Sequence, residues 1–81
     1  MRIRVLFFAV ARDAAGREAA DLDLPAGATV ADARRAIGEA FPALEPLLRS
    51  WSIAVDLEYA RPETPVPDGA EVAVIPPVSG G

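Results

Sequence analysis

Cysteine is absent from this chain, and so is histidine. Without cysteine there is no disulfide, no thiolate metal site and no thiol nucleophile. Without histidine the commonest general base and metal ligand are gone as well, leaving carboxylates, hydroxyls and guanidiniums as the side-chain chemistry. Both absences speak against a self-contained enzyme and against a bound cofactor or metal. Lysine is missing too: all eight basic residues are arginine, at positions 2, 4, 12, 17, 34, 35, 49 and 61. Only the amino terminus could accept an acyl group as an amide.

Positive charge is scarce. Eight basic against twelve acidic side chains give a net charge of -4, whereas nucleic-acid binders cluster positive charge and gain affinity from counterion release. No nucleic-acid partner is expected. Nor is there a long apolar run: Val5 to Ala11 is seven residues bounded by Arg4 and Arg12. That is too short for a membrane span and wrongly flanked for a signal peptide. No membrane partner is expected, and the cytoplasm is the expected location.

What is present suits one small folded unit. Eighty-one residues, 52% apolar and 25% charged, can close one modest core and not two. Residues 2–10 alternate as a strand, with Ile3, Val5, Phe7 and Ala9 toward the core and Arg2, Arg4, Leu6 and Phe8 away from it. The outward set begins charged and turns apolar at Leu6 and Phe8, which marks either a covering segment or an exposed apolar patch. "RDAAGRE" reads as a turn or one helical turn stopped by Gly16, and "EAADLDLP" as a second strand that forms a hairpin with the first.

The helix signal is strongest at "PAGATVADARRAIGEAFPAL". Thr29 is an N-cap, Asp32 stands where a capping box places its acid, and Val30, Ala33, Ile37, Phe41 and Leu44 recur at helical spacing. Pro42 cannot continue the ladder, so the helix is expected to end near Ala40 or Phe41, with an extra turn around "ALEPLLR". "WSIAVDLEYA" then reads as a third strand, with Ile53, Val55 and Leu57 on one face and Asp56 and Glu58 on the other. Parity groups Tyr59 with the inward set. "RPETPVPDG" suits a connection with a short edge strand at its centre. "AEVAVI" closes the pattern, with Val72 and Val74 inward and Glu71, Ala73 and Ile75 outward until Pro76 and Pro77 stop the pairing.

Hairpin, helix and further strands, with one apolar helix face to lay on one sheet, make an α+β two-layer domain. The first and last strands are equally apolar and belong side by side at its centre, the ββαββ order of a β-grasp. Residues 1–81 are expected to form a single domain with a flexible Gly-Gly tail at 76–81.

Three readings of the tail "PPVSGG" stand side by side. It is a frayed end, or an extended peptide held straight by Pro76 and Pro77 for a partner's surface, or the bearer of a reactive carboxylate. In the last case glycine, lacking a Cβ, lets Gly80 and Gly81 pass a narrow channel into another protein's active site. An ionised carboxylate is a poor electrophile and needs activation, most simply adenylation by ATP. Sulfide attack on the acyl-adenylate would then store a thiocarboxylate on the tail. A carrier of this kind needs no histidine, cysteine or metal of its own.

The stretches "VLFFAVARD", "LPAGATVADAR" and "AVDLEYARPETPVPDGAEVAVIPPVSGG" together closely resemble the molybdopterin synthase small-subunit family of ubiquitin-like sulfur carriers, over nearly the whole chain. The resemblance implies a β-grasp fold, a mixed sheet crossed by one main helix. It also implies that Gly81 is adenylated by a ubiquitin-activating-like enzyme that uses ATP, converted to a thiocarboxylate, and inserted into the large synthase subunit to supply sulfur to cyclic pyranopterin monophosphate. The chain would then be a non-catalytic carrier subunit of a heteromeric sulfurtransferase, a two-plus-two heterotetramer.

The family's docking positions map onto Phe8, Tyr59 and Ile75, with Arg12 as a polar neighbour and Pro76, Pro77 and Val78 leading into the tail. Asp56 departs from an asparagine common in the family and reads as a surface variation. Carriers for thiamine, cysteine or tRNA thiolation share the fold and the tail, and a ubiquitin-like protein modifier is the alternative from another class.

Overall fold

A computed structural model describes residues 1–77 of the chain. Strand β1 (Arg2–Phe7) buries Ile3, Val5 and Phe7 and turns Arg2 and Arg4 to solvent, as its alternation demands. A six-residue helix α1 (Val10–Ala15) ends at Gly16, whose φ of 76° closes the turn in the left-handed region where a Cβ is penalised. Strand β2 (Ala19–Asp23) returns antiparallel to β1, with Arg2 opposite Asp23 and Leu6 opposite Ala19.

Helix α2 (Val30–Ala40) begins with the capping box expected from its sequence. The Thr29 backbone N–H donates to Asp32 Oδ2 at 2.9 Å, and the Asp32 N–H donates back to Thr29 Oγ1 at 3.4 Å. The Thr29 backbone donor holds the Asp32 carboxyl below its ordinary pKa of 3.8. Val30, Ala33 and Ile37 are buried along one stripe, and full burial of a side chain such as Ile37 contributes roughly 1.5–3 kcal/mol. After Ala40 the chain tightens into a 3-10 turn (Pro42–Leu44) and a short helix α3 (Glu45–Leu48). Gly38 lets α3 lie close, since a Cβ there would come 3.2 Å from Glu45 Cγ. The Arg34 guanidinium donates to the carbonyls of Leu48 and Trp51, tying down the end of α3.

The remaining strands are β3 (Ser52–Val55), β4 (Glu58–Tyr59) and β5 (Glu71–Ile75). The five-stranded sheet has the order β2, β1, β5, β3, β4. β5 lies parallel to β1 and antiparallel to β3, which puts the first and last strands together at the centre. One face of this mixed sheet carries α2, and the core lies between them. Val5, Val72, Val74 and Ile53 meet Val30, Ile37, Leu44 and Leu48 there, and Phe7 meets Phe41 edge-to-face with ring centroids 5.0 Å apart. This is the ubiquitin-like β-grasp.

Three local expectations are corrected. The first strand stops at Phe7, not residue 10, because the backbone turns at Ala9 (φ 50°, ψ -121°) and Ala11 N–H bonds to the Phe8 carbonyl; Ala9 is exposed. The expected third strand is two, β3 and β4, separated by Asp56 and Leu57 with φ of 49° and 73°. Those two positive values make the two-residue turn whose twist matches its flanking strands, and they throw Leu57 out to 92% exposure. The proline-rich segment forms no edge strand beyond a single bridge, Thr29 to Pro65. Its carbonyls are used elsewhere: Thr64 and Pro62 accept the Val30 and Ala31 N–H groups at the start of α2, which have no partner within the helix.

Candidate functional site

The sheet face opposite α2 has no layer of secondary structure over it among the described residues. Cross-strand partners point to the same side, so the register lays out its rows. One row reads Asp21, Arg4, Glu71 across β2, β1 and β5. The next reads Ala19, Leu6, Ala73, Ala54, Tyr59 across all five strands. Beyond it Ile75 stands beside Ser52, and Phe8 follows the end of β1. Charge gives way to apolar surface within one step along the strands.

Phe8, Tyr59 and Ile75, picked out by resemblance, therefore come together with Leu6, Ala54, Leu57 and Ala73 around one cavity, which Glu71 of the charged row also lines. Phe8 is 51% exposed and Tyr59 73%. Tyr59 is on this face and not the inner one, because the two-residue turn at 56–57 reverses the parity count and sets Tyr59 opposite Ala54. Phe8 stands between the end of β1 at Phe7 and the turn at Ala9. Asp56 does more than vary the surface. It occupies a positive-φ position that asparagine and aspartate tolerate, and its Oδ1 accepts the Glu71 N–H at 2.9 Å at the entry to β5.

Arg12 lies at the border of the apolar area. With Arg4, Leu6, Phe8 and Glu18 it lines a second groove, and its guanidinium reaches the Glu18 carboxylate at 3.7 Å. Both partners are more than half exposed, so the pair is screened and leaves Arg12 available to another carboxylate.

The tail is rooted in this face. Ile75 is the last residue of β5; Pro76 is half-buried and Pro77 exposed, and neither has an N–H to extend the ladder. Both flanking strands end there as well, since β1 pairs no further than Val74 and β3 begins opposite Ile75. Val78, Gly80 and Gly81 lie outside the described residues. Leu6, Leu57, Ala54 and Ala73 were not singled out from sequence as site residues. Alternation already put Leu6 and Ala73 outward, but only the pairing register shows that they adjoin.

Comparison with known proteins agrees with this fold. Over an 83-residue alignment covering 100% of both chains, the sequence is 41% identical to the molybdopterin synthase sulfur carrier subunit of Chlamydomonas reinhardtii. Among solved structures, SAMP1 from Haloferax volcanii matches with a TM-score of 0.91 at 30% identity, covering 100% of both chains. A protein-protein complex of subunits 1 and 2 of molybdopterin-converting factor from Helicobacter pylori 26695 contains a chain that matches with a TM-score of 0.71 at 26% identity, again covering 100% of each. Residues 5–81 match the ThiS family, and the chain belongs to it.

Proposed function

We propose that this chain is the sulfur carrier subunit of a molybdopterin synthase, with Gly81 as the residue that bears the sulfur. The observation that carries the reading is the root of the tail: Ile75 is at once a member of the exposed apolar face and the last paired residue before Pro76 and Pro77. A protein that takes the tail into its active site must lie against that face. The curated relatives, similar over their full length, carry the same function in their names.

The chemistry is asked of the tail's carboxylate and of partners. An ATP-using, ubiquitin-activating-like adenylyltransferase joins the Gly81 carboxylate to AMP and releases pyrophosphate. Sulfide attacks the acyl carbon, AMP leaves, and a thiocarboxylate remains. The large synthase subunit then receives the tail, and the thiocarboxylate sulfur passes to cyclic pyranopterin monophosphate. Gly80 keeps the approach narrow. Phe8, Tyr59 and Ile75 hold the apolar centre of the docking surface, Arg12 meets a carboxylate at its rim, and Pro76, Pro77 and Val78 lead the tail away. The assembly is a heterotetramer working in the cytoplasm, and the carrier itself binds no cofactor.

A second reading has one observation in its favour, the 0.91 TM-score with SAMP1, a small archaeal modifier protein. In that case Gly81 would be joined to lysines of other proteins. Intact-protein mass spectrometry separates the two. The chain is incubated with its activating enzyme, ATP and a sulfur donor. Replacement of one oxygen by sulfur at Gly81 supports the carrier; amide-linked adducts on other proteins without that replacement support the modifier.

A further inference from the structure

The exposed apolar face is not flat. Between Phe8 on one side and Tyr59 and Leu57 on the other lies a cavity of about 250 Å³. An apolar cavity of roughly 150 Å³ holds a benzene ring, so this one has room for a large side chain. Its floor is made by Ala54 and Ala73, direct cross-strand partners in the middle of the sheet, with Leu6 and Ile75 beside them; Glu71 is the one charged residue in a lining otherwise made of aliphatic and aromatic side chains.

Two features of the floor are unexpected on stability grounds. Alanine is among the residues depleted from strands, where β-branched side chains pack better, yet two alanines face each other on neighbouring strands. Ala54 is moreover only 5% exposed and lines the cavity, yet it stands outside the core cluster. The molecule gains no packing from the space that these small side chains leave. A local rule broken without a stabilising return points to a functional site.

We propose that this cavity is a socket for one bulky apolar side chain, aromatic or long aliphatic, presented by the protein that receives the tail, and that Ala73 with Ala54 sets its depth. The occupant follows from reach. Four residues beyond Pro77 extend about 14 Å at most, so a protein that holds Gly81 in its active site also covers the surface around Ile75, which is one wall of the cavity. Ala54 and Ala73 are thus specificity-determining positions: an apolar face alone would admit many partners, whereas a socket of fixed depth selects one carrying the matching protrusion. This rests on the docking face proposed above and adds its shape.

The test uses Ala73→Ile, which fills the socket from its floor while placing a β-branched residue on a strand. The full-length chain is titrated with the molybdopterin synthase large subunit of the same organism, with Phe8→Asp alongside, and each variant is melted. The expected result is a melting temperature for Ala73→Ile equal to or above that of the unaltered chain, together with at least tenfold weaker binding. A merely structural role would move stability and binding in the same direction. If Ala73→Ile binds as the unaltered chain does while Phe8→Asp does not, the socket is overturned and the docking face stands. If both variants bind normally, the docking face itself is wrong and the socket falls with it.

Should Ala73→Ile fail to fold, Ala73→Val places a smaller plug at the same spot. A several-fold loss of binding is expected, and normal binding overturns the proposal. Two other occupants are detectable in the free chain. Destabilisation on removing residues 78–81, erased by Ala73→Ile, would assign the socket to the chain's own tail; dimers dispersed by Ala73→Ile would assign it to a second copy. Either result overturns the assignment to the receiving protein.

Discussion

The outer face of the sheet is two surfaces on one set of strands. At the end where β1 begins, Arg2 and Arg4 sit opposite Asp23 and Asp21, with Glu71 next in the row. At the end where β5 stops, Leu6, Ala73, Ala54 and Tyr59 form a row with no charge in it, flanked by Phe8 and Ile75. Both halves obey the same alternation and pair in the same ladders. The backbone is satisfied equally in each; what differs is the side chains, charged in one half and apolar in the other. Secondary structure alone would never separate them.

Several substitutions test that division. The largest effect is expected from Phe8→Asp, which places a charge in the apolar half. Binding to the large subunit should weaken by about 2 kcal/mol or more, the scale of a buried interface anchor, while the melting temperature hardly moves. Unchanged binding by a folded variant would erase the distinction between the halves. Next comes a change in the other layer: Thr29→Ala removes the helix cap and should cost about 1 kcal/mol in a denaturant titration, with binding untouched. If binding fell too, the outer face would not be independent of the helix layer.

A smaller effect is expected in the charged half. Arg4→Glu sets three carboxylates in a row with Asp21 and Glu71, and like charges directly opposite cost a few tenths to about 1 kcal/mol. Added salt should reduce that cost and leave binding alone. The smallest is Arg2→Ala. Its ion pair with Asp23, at 3.2 Å between side chains about 70% exposed, should be worth nothing measurable in either assay. A clear loss of binding there would extend the docking surface across the boundary.

Acidification probes the capping box without mutation. Asp32 has its pKa lowered in the folded chain by the Thr29 backbone donor. Its contribution is therefore complete above the ordinary carboxylate value of 3.8 and is lost as the pH falls through the lower folded value. Asp32→Asn should flatten that part of the stability profile.

Much of this was legible from the residues. The helix declared itself through Thr29, Asp32 and the stripe of Val30, Ala33 and Ile37, since cap chemistry and helical spacing are both local. Alternation placed Phe8 and Ile75 outward, and equal apolarity placed β1 beside β5. The misplaced end of β1 and the missed β3–β4 turn share one cause. Turns are usually announced by glycine or by asparagine followed by glycine, but here the chain turns on Ala9 and on Asp56-Leu57, and alanine and leucine seldom adopt positive φ. With no such punctuation, alternation runs past Phe7 and straight through the β3–β4 hairpin, which sets Leu57 and Tyr59 on the wrong face. The socket was illegible for a different reason. Ala54 and Ala73 are nineteen positions apart, and only the register of β3 against β5 brings them together.

The position of β5 also has a mechanical consequence. It lies between β1 and β3 and is held on both sides, parallel to one and antiparallel to the other. A tug on the tail runs along the strand axis, so it loads two ladders in shear at once instead of opening one rung at a time. A partner that grips the tail hard enough to seat it, and later to withdraw it, can pull without unravelling the protein that delivered it.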